Sequence, residues 1–255
     1  MRPADAPSRG SRLSATIRRA RKALRRYGLA GSLLHFTRSI RTYAARRRSY
    51  EVDRRFDREH GTDTSGIVRL QLLDIPSENR DLGNRYQAID PSIFRKMIEA
   101  LDIECARFVF VDYGSGKGRA LLLASEYPFR RIVGVEFAPD LHRVAVRNVA
   151  VFRSERQVCR NIEPLCMDAL LFELPPEPLA LFFNNPFEGP LMKKVLAKIA
   201  ESGRRHPRPI YLILAGDTVH GPSIGAAGFE RLDPAAVQGT LGDGERRGLF
   251  VMRAP

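Results

Sequence analysis

The sequence predicts an α/β protein built on a doubly wound, mostly parallel sheet, and three observations lead there. From residue 106 onward, short apolar runs alternate with longer amphipathic ones at the spacing of strand-helix units. One of those runs passes straight into a glycine-rich turn that opens a helix. Acids stand at the ends of the next strand-like stretches, Glu136 and Asp168, on the edge where such sheets bind ligands.

The glycine turn carries the most information. In Val109-Phe110-Val111-Asp112-Tyr113-Gly114-Ser115-Gly116-Lys117-Gly118-Arg119, apolar residues end in an acid, and three glycines follow at every second position. A buried strand, a tight turn and a helix starting at Ala120 account for that order. Glycine permits φ > 0 and lets a ligand approach bare backbone, and amides of the first helical turn can take an anionic group. The dinucleotide fingerprint fails, because its third small residue would fall at Arg119. The phosphate-loop pattern also fails: it lacks its opening glycine, and Gly118 stands where Ser or Thr should follow Lys117.

Around this turn the remaining elements follow in order. Strands are expected at Phe108–Tyr113, Arg131–Glu136, Ile162–Met167, Leu179–Phe183 and Pro209–Ala215. Helices are expected at Gly118–Ser125, Pro139–Val151 and Gly189–Glu201. Asp90-Pro91 supplies an N-cap and a first helical residue, and Ile93, Phe94, Met97, Ile98 and Leu101 form the buried face behind it. Residues 51–66, charged and then rich in turn formers, read as a linker or surface loop, and Ile67–Leu73 as a short ordered segment. Gly228–Leu232 and Gly248–Met252 read as a closing hairpin.

Charge divides the chain. Residues 1–50 hold 14 Arg and Lys against one acid, Asp5, while the rest holds 28 of each sign, so the whole net charge of +13 belongs to the N-terminal arm. Within it, Leu13, Ile17, Ala20, Leu24 and Tyr27, then Leu33, Leu34, Phe36, Ile40 and Tyr43, recur at helical spacing among arginines. A basic amphipathic helix of this kind can lie on an anionic membrane surface or grip nucleic-acid phosphates. It can also simply pack its apolar stripe on the core, and an Arg-rich, acid-poor start suits a transit peptide as well. The expected organisation is a basic helical arm at 1–60, partly disordered, a lead-in at 61–105, and the main domain at 106–255.

Hydrophobic content of 44% and charged content of 28% match an ordinary globular chain, and no apolar stretch reaches the length of a membrane span. Cys105, Cys159 and Cys166 have no metal-ligand spacing, so they read as reduced, buried thiols with no metal site, in a reducing, cytoplasmic setting (peripheral at a membrane surface if the arm binds lipid).

The Asp-x-Gly-x-Gly-x-Gly run resembles motif I of the class I S-adenosylmethionine (SAM) dependent methyltransferases. That resemblance, over about residues 80–255, implies a seven-stranded Rossmann-like sheet whose last strand inserts antiparallel, SAM as cofactor, and methyl transfer as the activity. Asp112, Tyr113, Gly114, Ser115, Gly116 and Gly118 then form the cofactor turn, with Asp112 organising it or meeting the methionine amino group. Glu136, 18 residues after Gly118, is placed to accept both ribose hydroxyls, as acids do in dinucleotide folds. Phe137 is a candidate to stack on the adenine. By resemblance Asp168 meets the adenine amino group, with Met167 flanking the ring, and Tyr86 closes over the cofactor from the N-terminal side.

The fourth strand ends in Asn184-Asn185-Pro186-Phe187, which resembles the Asn-Pro-Pro-aromatic motif of amino-group methyltransferases and the Asn-Asn-Phe loop of Dot1-like histone lysine methyltransferases. The resemblance implies that a carbonyl of Asn184 or Asn185 holds an acceptor amine, that Pro186 stiffens the turn, and that Phe187 covers the acceptor. In-line methyl transfer chiefly needs that alignment. A protein lysine amine is the first expected acceptor, with RNA or a small molecule as alternatives, and a non-catalytic SAM-binding adaptor recruited by its arm as an alternative of another kind.

Overall fold

The computed structural model describes residues 51–187, 189–215, 221–232 and 248–252. The expected amphipathic stretches of the arm at 1–50, and the connection inside the closing hairpin, lie outside the described residues. By its contacts the chain divides into Met1–Glu51 and Val52–Pro255, and the architecture below is that of the second unit.

Residues 51–60 are helical (α1). They are followed by a small antiparallel pair, β1 (Ile67–Val68) and β2 (Tyr86–Gln87). Then come α2 (Pro91–Glu99), β3 (Val109–Tyr113), α3 (Arg119–Ala124), β4 (Arg131–Glu136), α4 (Pro139–Val151), β5 (Ile162–Cys166), β6 (Leu179–Asn184), α5 (Gly189–Arg205), β7 (Ile210–Ala215), α6 (Gly221–Ala226), β8 (Glu230–Arg231) and β9 (Gly248–Met252). The linker expected at 51–66 is therefore corrected: its first ten residues are a helix.

The sheet has seven strands in the order β5-β4-β3-β6-β7-β9-β8. The pairs β3–β4, β3–β6, β4–β5 and β6–β7 are parallel, whereas β9 runs antiparallel to both β7 and β8. Burial agrees with the parallel pairing. β3 and all but the last residue of β6 are buried along their whole length, as strands covered on both faces must be, and such strands read as continuous apolar runs. β5, at the edge, has half-buried and exposed positions and no buried one, which leaves Cys166 exposed; with Cys105 only half-buried, the expectation of three buried thiols is corrected at both positions and holds at Cys159.

Two apolar layers cover the sheet. On one face Phe94 and Met97 of α2 and Leu121–Leu123 of α3 pack on Phe110 and Phe182, with the Phe94 ring edge-on to Phe182 at 5.2 Å. On the other face Leu191, Val195 and Ile199 of α5 pack on Val111, Leu181 and Leu212. The N-terminus of α2 forms as its sequence predicts: Asp90 accepts from the Ser92 and Ile93 amides, and Pro91 opens the first turn. This sandwich leaves the carboxyl ends of β3, β4 and β6 side by side, with the glycine turn between them.

Candidate cofactor and acceptor site

A cleft of about 740 Å³, its open mouth included, lies over those strand ends. Asp112, Gly114, Ser115, Glu136, Phe137, Met167 and Asp168 line it, and so do Asn184, Asn185, Pro186 and Phe187. Most of the residues singled out from the sequence thus share one cavity.

The glycine turn has positive φ at each glycine: +77° at Gly114, +54° at Gly116 and +85° at Gly118, where only glycine is unstrained. What comes close to the bare backbone is the protein itself. A Cβ on Gly114 would lie 2.5 Å from Pro186 Cβ, and one on Gly116 would lie 2.1 Å from the Tyr86 ring. Four of the turn's amides have partners within the protein: Gly114 and Ser115 donate to the Val135 carbonyl, Gly116 to Glu136 and Gly118 to the Ser115 carbonyl.

Three predicted cofactor residues fall outside the cleft lining. Tyr113 points into the apolar layer under α5, stacked on Phe183 at 5.0 Å and edge-on to Phe172. Alternation along β3 forces this, since Asp112 faces the other way. Gly116 is covered by Tyr86 and Gly118 approaches Ala145, so both shape the turn from behind.

The acids differ sharply. Asp112 is buried, and its Oδ1 has no hydrogen-bond partner among the described residues. Burial, with Glu136 adding repulsion, pushes its carboxyl well above the usual range. Glu136 is also buried, but its two oxygens accept the Gly116 and Ala138 amides, each at 2.8 Å. Burial still pushes it up to about 7, against the pull of those amides. Asp168 is half-buried and belongs to a different network. Burial would raise it, yet Asn79 and Ser77, donating at 2.9 and 2.6 Å, hold it below its ordinary value.

The Asn184–Phe187 loop is pinned by residues 83–87, far earlier in the chain. Asn184 Nδ2 donates to the Gln87 carbonyl at 2.9 Å, the Asn84 amide donates to the Pro186 carbonyl at 2.9 Å, and Gly83 bridges to Phe187. Asn185 has φ +48° and an exposed side chain. Such left-handed backbone is uncommon outside glycine and is best tolerated by Asn and Asp.

Sequence reasoning missed most of this covering segment. Leu70, Asn84, Arg85, Gln87 and Ile89 line the cleft, and only Tyr86 was singled out among their neighbours. Nothing local marks them, since their partners are distant in the chain. Arg119 was read only as a break in a motif, yet it is buried.

The decisive observation is topological. Four parallel pairs in the doubly wound order are followed by a reversed final strand that wedges between β7 and β8, and the cleft lies over the central switch between β3 and β6. This is the class I methyltransferase fold. No protein-family model matches the chain, and no curated protein sequence matches it. Among solved structures it is similar to a 23S rRNA methyltransferase, ErmE, at 16% identity and a TM-score of 0.43, covering 64% of this chain and 67% of that one. It is also similar to an RNA methyltransferase from Salinibacter ruber bound to S-adenosylhomocysteine, at 20% identity and a TM-score of 0.43, covering 67% and 94%. A glycopeptide N-methyltransferase, MtfA, gives 10% identity and a TM-score of 0.47 over 67% and 96%. The methyltransferase fold is assigned on strand order, not on these likenesses.

Proposed function

We propose that this protein transfers a methyl group from S-adenosylmethionine to an amino group held by the Asn184–Phe187 loop. The observation that carries the reading is the buried, donor-less Oδ1 of Asp112 in the cleft wall beside Glu136. A buried carboxylate without a partner is costly, and a cationic ligand relieves the cost. The residues fit SAM in that respect: Asp112 would meet its ammonium group and Glu136 its ribose hydroxyls, while Phe137 and Met167 would border the adenine.

Bound SAM supplies an electrophilic methyl on a sulfonium. The chain's own task is to align a neutral nucleophile and keep water out. Asn184 suits this because Gln87 takes its Nδ2, which leaves Oδ1 to accept an N–H of the acceptor. The Asn185 carbonyl, turned by its left-handed backbone, is the second acceptor. Two such acceptors hold an amine by its hydrogens and direct its lone pair away from them, toward the methyl.

A protein lysine amine remains our first acceptor. A specific observation favours RNA as the second: Arg85, exposed on the cleft rim, has no acidic partner among the described residues and offers its charge to a phosphate. The 14 cations of residues 1–50 suit recruitment to an anionic surface, which we read as the cytoplasmic face of a membrane, with nucleic acid as the alternative. Deleting residues 1–50 and titrating lipid vesicles and RNA against salt separates these.

Incubating the protein with SAM labelled in its methyl group and a cell lysate tests the function. The proposal expects label in one class of macromolecule, protein first, that disappears when Asn184 is changed. Tight SAM binding with no label in protein, RNA or small molecules would instead identify an adaptor.

A further inference from the structure

Lys117 and Arg119, and Gly116 through the Tyr86 ring, are fastened to one short stretch of chain, residues 53–65. Gly116 lies under the Tyr86 ring, whose hydroxyl donates to the Thr64 carbonyl at 2.5 Å. Lys117 Nζ donates to Asp63 Oδ1 at 2.7 Å and to the Ser65 carbonyl at 3.1 Å. Arg119, the first residue of α3, donates through Nε to the Thr64 hydroxyl and through its other nitrogens to the side chain and carbonyl of Asp53. Its guanidinium also pairs with Asp57 at 3.7 Å and lies over the Phe56 ring at 4.1 Å.

Asp57 organises that stretch in turn. Its carboxylate accepts from the Thr62 hydroxyl, the Thr64 amide and hydroxyl, and the Ser65 amide. The Thr64 side chain, fully buried, therefore donates to Asp57 while accepting from Arg119. Asn148 of α4 closes the ring, giving one N–H to the Asp63 carbonyl and one to the Lys117 carbonyl and accepting the Asp63 amide.

We infer that Arg119 and Thr64 are positioning residues for the cofactor: they hold the glycine turn in its binding conformation by fastening it to α1. The inference rests on reading the cleft as a SAM site. A turn with three glycines is the loosest kind of backbone, and its ordering must come from elsewhere. A buried arginine with two acids is a poor choice for stability alone, since a well-packed apolar replacement often does as well. Its geometry is specific, however, and it stands at the exit of the turn, directly after Lys117 and Gly118, where fixed bonds anchor the end that the strand does not hold. Helix α1 is then part of the cofactor site, though none of its residues borders the cleft.

Two variants test this in the full-length chain. Thr64→Val keeps the shape and removes the hydroxyl that joins Asp57 to Arg119; Arg119→Lys keeps the charge and removes the fork. Three quantities are read: amide hydrogen exchange of residues 114–118 without ligand, S-adenosylhomocysteine affinity by calorimetry, and the thermal midpoint. The inference expects exchange in the turn to rise at least about tenfold while Ile210–Ala215 stays unchanged, and affinity to fall at least about tenfold. A lower thermal midpoint with turn exchange and affinity both unchanged would assign the cluster to stability alone and overturn the inference. If the wild-type protein ignores S-adenosylhomocysteine, the cofactor reading fails by itself, and the exchange data still decide whether these residues order the turn.

Discussion

Glu136 holds the amide of Gly116 at 2.8 Å, so the acid at the end of β4 fixes the middle of the glycine turn that follows β3. Its other oxygen takes the Ala138 amide at the start of α4. One side chain that borders the cleft therefore fixes the spacing of two loops.

Replacing Glu136 with Gln sets an N–H donor against one of those two amides and removes the charge. S-adenosylhomocysteine binding should weaken by about tenfold to a hundredfold, the loss of one charged hydrogen bond plus a buried mismatch. Calorimetric titration of both proteins measures this; equal affinity would remove Glu136 from the site.

The same residue predicts a pH dependence. Its carboxyl is pushed up from 4.5 to about 7 by burial, and the ionised form accepts hydrogen bonds from a ligand. Affinity should therefore fall as pH drops below about 7, by up to about tenfold per unit, with protons released on binding near pH 6. In the ligand-free protein the sign is opposite. A raised acid favours the folded state below its unfolded value, and that contribution is lost as pH rises through about 7. The wild type should thus lose stability relative to Glu136→Gln between pH 5 and pH 8, measured by urea unfolding at both values. Proton uptake on binding would contradict the prediction.

Gly116→Ala places a Cβ 2.1 Å from the Tyr86 ring at φ +54°. The cost should be about 2 to 4 kcal/mol in chemical unfolding, from overlap and backbone strain together. Adding Tyr86→Ala removes the overlap, so the double variant should be more stable than the sum of the single effects by over about 0.5 kcal/mol. Strict additivity would mean that the ring does not occupy that space.

Asn184→Ala should leave S-adenosylhomocysteine affinity within about twofold and cut label transfer about a hundredfold, since it removes an alignment contact and not a cofactor contact. A change confined to cofactor affinity would make Asn184 a cofactor contact instead.

Arg208 gives the contrasting case. Its guanidinium donates to the carbonyls of Pro175, Glu177, Ser202 and His206 and to the Ser202 hydroxyl, all at 2.7–2.9 Å and away from the cleft. Arg208→Ala should cost about 3 kcal/mol of stability by orphaning those acceptors and leave cofactor affinity unchanged. Urea unfolding and calorimetry on one preparation decide both halves.

These residues differ in how far the sequence reveals them. The strand running into Gly114 and the acid at Glu136 are legible because burial, turn and ligand edge leave their signatures within a few residues of each other; β4 and α4 take the bounds that their patterns predict. Helix α1 is not legible, because its buried side comprises one large apolar residue, Phe56, and an acid, Asp53, whose partner Arg119 lies 66 positions away. The clamp of residues 83–87 on Asn184–Phe187 is hidden for the same reason: it is made of backbone carbonyls and amides, which every residue carries. Along β3 the Tyr113 ring, stacked on Phe183, alternates with Asp112 and so faces the apolar layer, which a motif read without strand alternation does not reveal. The six-residue α6, Gly-Pro-Ser-Ile-Gly-Ala, offers too few helix formers to announce itself.

The most direct measurement is titration of the purified full-length protein with S-adenosylhomocysteine in a calorimeter at pH 7.5. The account predicts one site per chain with a dissociation constant of about 1 to 100 µM, weakened in Glu136→Gln. No heat beyond dilution at millimolar ligand, together with an unmoved thermal midpoint, would contradict it.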